Sequence, residues 1–330
     1  MAKVLSFLIV ISIGFSNAIF GPALSDEFQL SCQRPPFPMK TKARPIDSSC
    51  GNEGESKGTA KGLQNAVKNN LCSQGDPITL TFEDFMSLQK QAEDRHIPFG
   101  ADGFPPNRVE HLPEDRSELS SGNFRTAGGR SIREGDKVQI VAFMDDPHAA
   151  DVGSGEDVNC HKPTAADNDI HINLVETPAP PKPDRNDPDA AQKKANRKIA
   201  LCSAIVAEII PHFRPDLFDH KLLAPIAAKH TPVRISGQLF FDAAHRPCAG
   251  TVPRDSSVRG SLWEIHPIYS IDVCKHQTLA QCPATAEAVW TPLDQSITFF
   301  QRIRTQFMAF FASEQSDADD DDRKDEHQGE

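Results

Sequence analysis

Asp169-Ile170-His171-Ile172-Asn173-Leu174-Val175-Glu176 alternates with a period of two, Ile170, Ile172 and Leu174 on one side and Asp169, His171 and Asn173 on the other. Successive side chains of a strand point to opposite faces, so this stretch predicts a strand with one apolar and one polar face. Working outward, residues 136–144 form a second β-rich run, opened by the turn residues Glu134-Gly135. Residues 204–212, 233–241 and 262–273 add three more. Between the third and fourth runs, Leu217, Leu222, Leu223, Ile226 and Ala227 recur at helical spacing over residues 216–229. Three strands, one helix and two strands is the order of a five-stranded barrel of the OB type, so the expected fold is mainly β, with that barrel spanning residues 131–275. Gly135 and Gly237 fall where the strands of a tight barrel must coil sharply. An α+β sandwich is the alternative architecture. A Pro-rich insertion with a Lys193-Lys194 cluster, residues 178–197, separates the second and third strands.

The flanks differ in character. Lys3, an apolar run from Val4 to Phe15 and the small-x-small pattern Ser16-Asn17-Ala18 read as a signal peptide over residues 1–18, cleaved after Ala18. The apolar run is shorter than the ~20 residues that cross a bilayer. Residues 19–130 read as a loop-rich extension docked on the barrel, with one short helix at residues 60–71. A second helix begins at Thr81, whose partner Asp84 three residues on forms an N-cap signature. Within residues 276–313, an apolar stripe of Leu293, Ile297, Phe300, Ile303, Phe307 and Phe311 predicts a C-terminal amphipathic helix over residues 293–311. That helix packs on the barrel or, in a second reading, meets a partner or a membrane surface. Residues 314–330 hold nine acidic and two basic residues and read as a disordered acidic tail.

The net charge is −11, and removing the tail and Lys3 leaves residues 19–313 at −5. A nucleic-acid binder presents a basic face to phosphates, so this acidic body argues against nucleic acid as a partner. Eight cysteines fit an exported chain, periplasmic or extracellular, in an oxidising space. Cys274–Cys282 and Cys50–Cys72 are the expected bridges, and Cys202 could equally be a buried free thiol.

Several stretches make the chain similar to a group of exported bacterial proteins of uncharacterised function: Glu134-Gly135-Asp136-Lys137-Val138, Asn159-Cys160, residues 168–174, Gly237-Gln238-Leu239-Phe240-Phe241-Asp242, His245-Arg246-Pro247, and Ser261-Leu262-Trp263-Glu264-Ile265-His266-Pro267. The resemblance implies an OB-like barrel and carries no activity or catalytic residue with it.

Three polar sets stand out from the strand pattern: Asp169 with His171 and Asn173, Glu264 with His266, and Glu208 with His212. OB barrels bind through strands two and three and the loops joining strands one to two and four to five, here residues 145–168 and 244–260. Asp242 and His245 follow the fourth strand, and Arg246, Arg254 and Arg259 make the next loop basic enough to hold an anion. His171, His212 and His266 with nearby carboxylates are residue types that could hold a divalent metal. The plainer reading puts His171 and His266 on an exposed barrel face, tolerant of alanine. Trp263, opposite Glu264 and His266, reads as core, or as a stacking platform if exposed. No nucleophile elbow, phosphate loop or dinucleotide fingerprint is present. The leading expectation is a non-enzymatic binding or interaction module. Its rivals are a metal-dependent hydrolase using His171, Glu208, His212, Glu264 and His266, and a structural envelope protein docking through its C-terminal helix.

Overall fold

The computed structural model describes residues 27–103, 107–184, 186–254 and 256–297. Five strands close on themselves: β1 (Lys137–Ala149), β2 (Ile170–Val175), β3 (Ile205–Ile209), β4 (Pro232–Phe241) and β5 (Trp263–Cys274). β1 pairs antiparallel with β2, β2 with β3, β5 with β4, and β4 with β1. The ring is completed by a parallel contact between β3 and β5, where Ala207 faces Ile265. Closure removes the free edges that an open sheet would expose. Residues 78–79 add a short parallel strand beside β1, and residues 290–292 an antiparallel one beside β5.

The alternation in β2 sorts its side chains as expected. Ile170, Ile172 and Leu174 point inward and join Val138, Ile140, Ile205, Ala207, Ile235, Leu239 and Ile265 in one apolar core. Helix α4 (His220–Ala228) follows β3 and contributes Leu223, Ile226 and Ala227 to that core. Gly237 lies where β4 crosses an irregular stretch of β5, and a Cβ there would sit 2.2 Å from the Pro267 carbonyl oxygen. Only a residue without a side chain lets the strands approach so closely. Trp263 is fully buried, with Phe124 and Phe241 against its ring, so it is core and not a stacking surface.

The extension is more ordered than its composition predicts. Thr81 caps α2 (Phe82–Asp94) through the expected reciprocal pair with Asp84. α2 then buries Phe85, Leu88 and Ala92 against the barrel core. Helix α1 (Ala60–Lys68) docks the other way round: Gln64, Asn65 and Lys68 are buried while Leu63 is exposed. The latter part of the insertion, for which the sequence pattern offered no element, runs into helix α3 (Ala190–Leu201). Its Ala, Gln, Lys and Arg content favours helix, but a mostly solvated helix shows no apolar stripe to reveal it.

Four disulfides tie the chain together: Cys32–Cys72, Cys50–Cys160, Cys202–Cys248 and Cys274–Cys282. Cys274–Cys282 is the local bridge expected. Cys50 and Cys72 bond to Cys160 and Cys32 instead of each other, because the segment after Cys50 packs on the β1–β2 connection, where Glu55 N–H donates to Asp157 O. Cys202 is bridged, and no described cysteine is free. Four disulfides fit an oxidising, exported environment. Among the described residues no helix is long and apolar enough to cross a membrane. Residues 293–297 begin a helical turn with Leu293 and Ile297 in the core; the rest of the expected C-terminal helix, the acidic tail and residues 1–18 lie outside the described residues.

Candidate functional site

The polar face of β2 continues across two neighbouring strands. Register sets His171 on β2 directly opposite Glu208 on β3, and the parallel β3–β5 contact brings Glu264 and His266 alongside Glu208. His171 Nε2 lies 3.2 Å from Glu208 Oε1, and His266 Nδ1 lies 3.1 Å from Glu208 Oε2. Asp169, two residues before His171, reaches His266 from the other side, with Oδ2 3.7 Å from Nε2. Glu264 Oε2 is 3.7 Å from His266 Nδ1. Five of the candidate residues thus converge.

This outer face of the barrel is not solvent-exposed. Asp169, Glu264 and His266 are 0% exposed and Glu208 1%. The expectation of an exposed face tolerant of alanine is overturned for His266, because the N-terminal extension covers it. Lys68 of α1 extends onto the face, its Nζ 3.9 Å from Glu208 Oε2. Gln64 of α1 donates to Asp242 Oδ1 at 3.2 Å. The β1–β2 connection adds Asn159, whose Nδ2 donates to Asp169 Oδ1 at 3.2 Å. The Cys50–Cys160 bridge tethers that same connection to the extension.

Arg259, expected in a basic loop able to hold an anion, is fully buried and spent on the protein's own carboxylates. Its guanidinium pairs with Glu264 and lies 3.3 Å from Asp242 Oδ2, while His245 Nε2 is 3.4 Å from that same oxygen. Sequence reading missed Lys68, Asn159 and the buried role of Arg259. Asn159-Cys160 stood among the stretches that carry the resemblance, but nothing there assigned Asn159 to the polar sets. Lys68 carried no signal, because it lies on a helix that docks by its polar side.

Burial and charge compete throughout this layer. Burial alone would lower His171 and His266, but Glu208 outweighs it and raises each to about 9, so both rings are cationic at neutral pH. Burial likewise opposes ionisation of Glu208, yet His171, Lys68 and His266 hold its carboxyl well below the usual range. Asp242 is held low against burial by His245, Lys68 and Arg259. Asp169 goes the other way: burial raises it, and His266 and Lys68 only partly compensate.

Not every candidate joins the cluster. His212 is buried elsewhere, its Nδ1 2.9 Å from Asp47 Oδ1 and its ring stacked on Phe28. It cannot be a ligand with His171 and His266, because β3 ends at Ile209 and the chain turns away before His212. Arg246 pairs with Asp102 at the surface. Asn173 and His245 line a cleft of about 800 Å³ with His171 on its wall. His148 near the end of β1, Glu156 of the β1–β2 connection, Lys194 and Arg197 of α3, and Ser257 of the β4–β5 connection also line it. His171 therefore faces both ways, toward Glu208 in the buried layer and toward the cleft.

Searches against protein-family models, curated proteins and solved structures find no match to this chain.

Proposed function

We propose that this chain is an exported, non-enzymatic binding module of the OB type whose ligand is a small molecule or peptide end bearing an anionic group. One observation carries the reading: the cleft lies over β2 between the β1–β2 and β4–β5 connections, with His171 on its wall. Those are the elements through which OB barrels take their ligands. The strand order β1-β2-β3-β5-β4, closing back on β1, and the helix between β3 and β4 support the OB label. His171 supplies the anion contact, because Glu208 keeps its ring cationic at neutral pH. Lys194, Lys198 and His148 add positive or donor groups around it. Polar groups converging in a largely preformed concavity are the usual mark of a small-ligand site. The four disulfides agree with export, and cleavage after Ala18 is the route proposed for it.

The test is a nuclear magnetic resonance screen of a carboxylate and phosphate fragment library against the mature protein, read on the ring signals of His148, His171 and His245. Binding that shifts these rings, and that disappears in His171→Gln, supports the reading. A folded protein whose cleft signals respond to no member at millimolar concentration overturns it.

A further inference from the structure

We propose that Asp169, Glu208 and His266 form a binding site for a divalent transition cation of the zinc or manganese type, one layer beneath the cleft wall. The inference is independent of the anion-binding reading above, since it concerns the buried layer and not the cleft. It begins with spacing. One donor atom from each of the three residues lies within 4.8 Å of the others, and all three are at most 1% exposed. Zinc bonds of about 2.0–2.2 Å need donors little more than 3 Å apart, so on loading the side chains draw together by about an ångström. One imidazole and two carboxylates suit zinc, manganese or ferrous iron better than magnesium, which keeps an oxygen-only shell.

The second observation is how the other end of each donor group is held. Asp169 Oδ1 accepts from Asn159, and Glu208 Oε1 faces His171 at 3.2 Å. The Nδ1 side of His266 faces Glu208 Oε2 at 3.1 Å and, at 3.7 Å, Glu264, whose second oxygen is bound by Arg259. This is the outer shell that orients metal ligands in known sites: an amide, an imidazole and a carboxylate behind the donors. Against it, Asp169 Oδ2, Glu208 Oε2 and both ring nitrogens of His266 are buried without an aligned hydrogen bond. Buried polar atoms ordinarily find partners, so unaligned ones on all three residues of the trio call for an explanation.

Four carboxylates are fully buried here: Asp169, Glu208, Asp242 and Glu264. The cations that face them are Lys68, Arg259 and the protonated rings of His171 and His266. A divalent ion would therefore enter in place of the proton on His266, since a metal ligand must be the neutral imidazole. Lys68 is the competitor, and on loading its ammonium must shift from Glu208 and Asp169 toward Asp242 and Glu156, which also act on it. The ion would bind β2, β3 and β5 together and hold Glu208 in place behind His171. The half-buried Glu156, 3.9 Å from His171 Nε2 and on the cleft wall, marks the way in from solvent.

The experiment is metal analysis of the mature wild-type protein, purified without chelator or nickel resin. It is followed by removal of metal and titration of the apoprotein with Zn²⁺, Mn²⁺ and Co²⁺, read by calorimetry and by the visible absorption of cobalt. One equivalent bound, with a rise in melting temperature, is expected. Asp169→Asn should abolish it, and Asn159→Ala should weaken affinity roughly 10–100-fold, as removal of an outer-shell partner does. Should Asp169→Asn fail to fold, Asn159→Ala and the wild-type titration still decide. His212→Asn, outside the cluster, should leave stoichiometry and affinity unchanged. A wild-type protein that is folded by circular dichroism yet takes up none of the three ions to one equivalent overturns the proposal, and so does uptake that Asp169→Asn leaves intact.

Discussion

The same three strands present two faces, one wholly buried and the other buried around Glu208, Glu264 and His266. Inward, β2, β3 and β5 bring Ile172, Leu174, Ile205, Ala207 and Ile265 to an apolar core of interlocking aliphatic side chains. Outward, at the same level, they bring Glu208, Glu264 and His266, with the half-buried His171 at the edge, into a layer covered by α1 and the β1–β2 connection. The first face is held by non-directional burial that tolerates an imperfect partner. The second is held by directional charge contacts, and it becomes costly as soon as one partner is missing. A helix docking by Gln64, Asn65 and Lys68, with Leu63 left in solvent, belongs to the second kind of face. It teaches that burial and hydrophobicity are separate properties, even on opposite sides of one strand.

Truncation on the inner face should give the largest loss. Trp263→Ala removes a fully buried ring packed on Phe124 and Phe241, and should cost about 3–5 kcal/mol in urea-unfolding free energy. A loss below about 1 kcal/mol would mean that the inner face is not the packed core described. On the outer face, Arg259→Met strips Glu264 and Asp242 of their shared cation and should cost roughly 3–4 kcal/mol. The sharper comparison is the double variant Arg259→Met/Glu264→Leu, which removes one orphaned carboxylate and should recover part of that loss. No recovery would show that the charge pair is not what stabilises this face.

The seal itself is tested by Cys50→Ala/Cys160→Ala, which frees the β1–β2 connection from the extension. We expect a loss of about 2–3 kcal/mol, together with faster amide exchange in α1. Unchanged exchange in α1 would separate the bridge from the seal.

The smallest effect concerns His212, buried away from the cluster with Asp47 and Arg214 as its charged neighbours. Burial lowers its pKa, and the opposing pull of Asp47 does not restore it. A histidine with a lowered folded-state value takes up a proton more readily when unfolded. Stability should therefore fall as pH drops below the unfolded value of about 6.5, and be fully present above it. Subtracting the pH profile of His212→Asn, which keeps a donor for Asp47, from that of the wild type should leave that slope. A flat difference between about pH 7 and pH 5 would break the assignment.

Much of this was legible along the chain. Period-two alternation marked β2, helical spacing marked α4, and Thr81 with Asp84 marked the start of α2. Asp169, His171, Glu208, Glu264 and His266 stood out because each interrupts or opposes an apolar pattern. Their convergence was not legible, since the β3–β5 contact joins residues more than fifty positions apart. α3 escaped notice because a solvated helix has no apolar stripe, and the Cys50–Cys160 bridge because nothing in spacing alone selects a partner over a hundred residues away.

The sequence by itself determined which residues are strand and which side of each strand is apolar, because side-chain alternation is a local consequence of backbone geometry. Only the tertiary structure decided that the polar side would be buried too. That outcome depends on where α1 and a bridged loop come to rest, and on Asp169 and Glu208 meeting Lys68 and His266 from segments remote along the chain. Local pattern says what a face is made of; the covering of that face is a long-range fact.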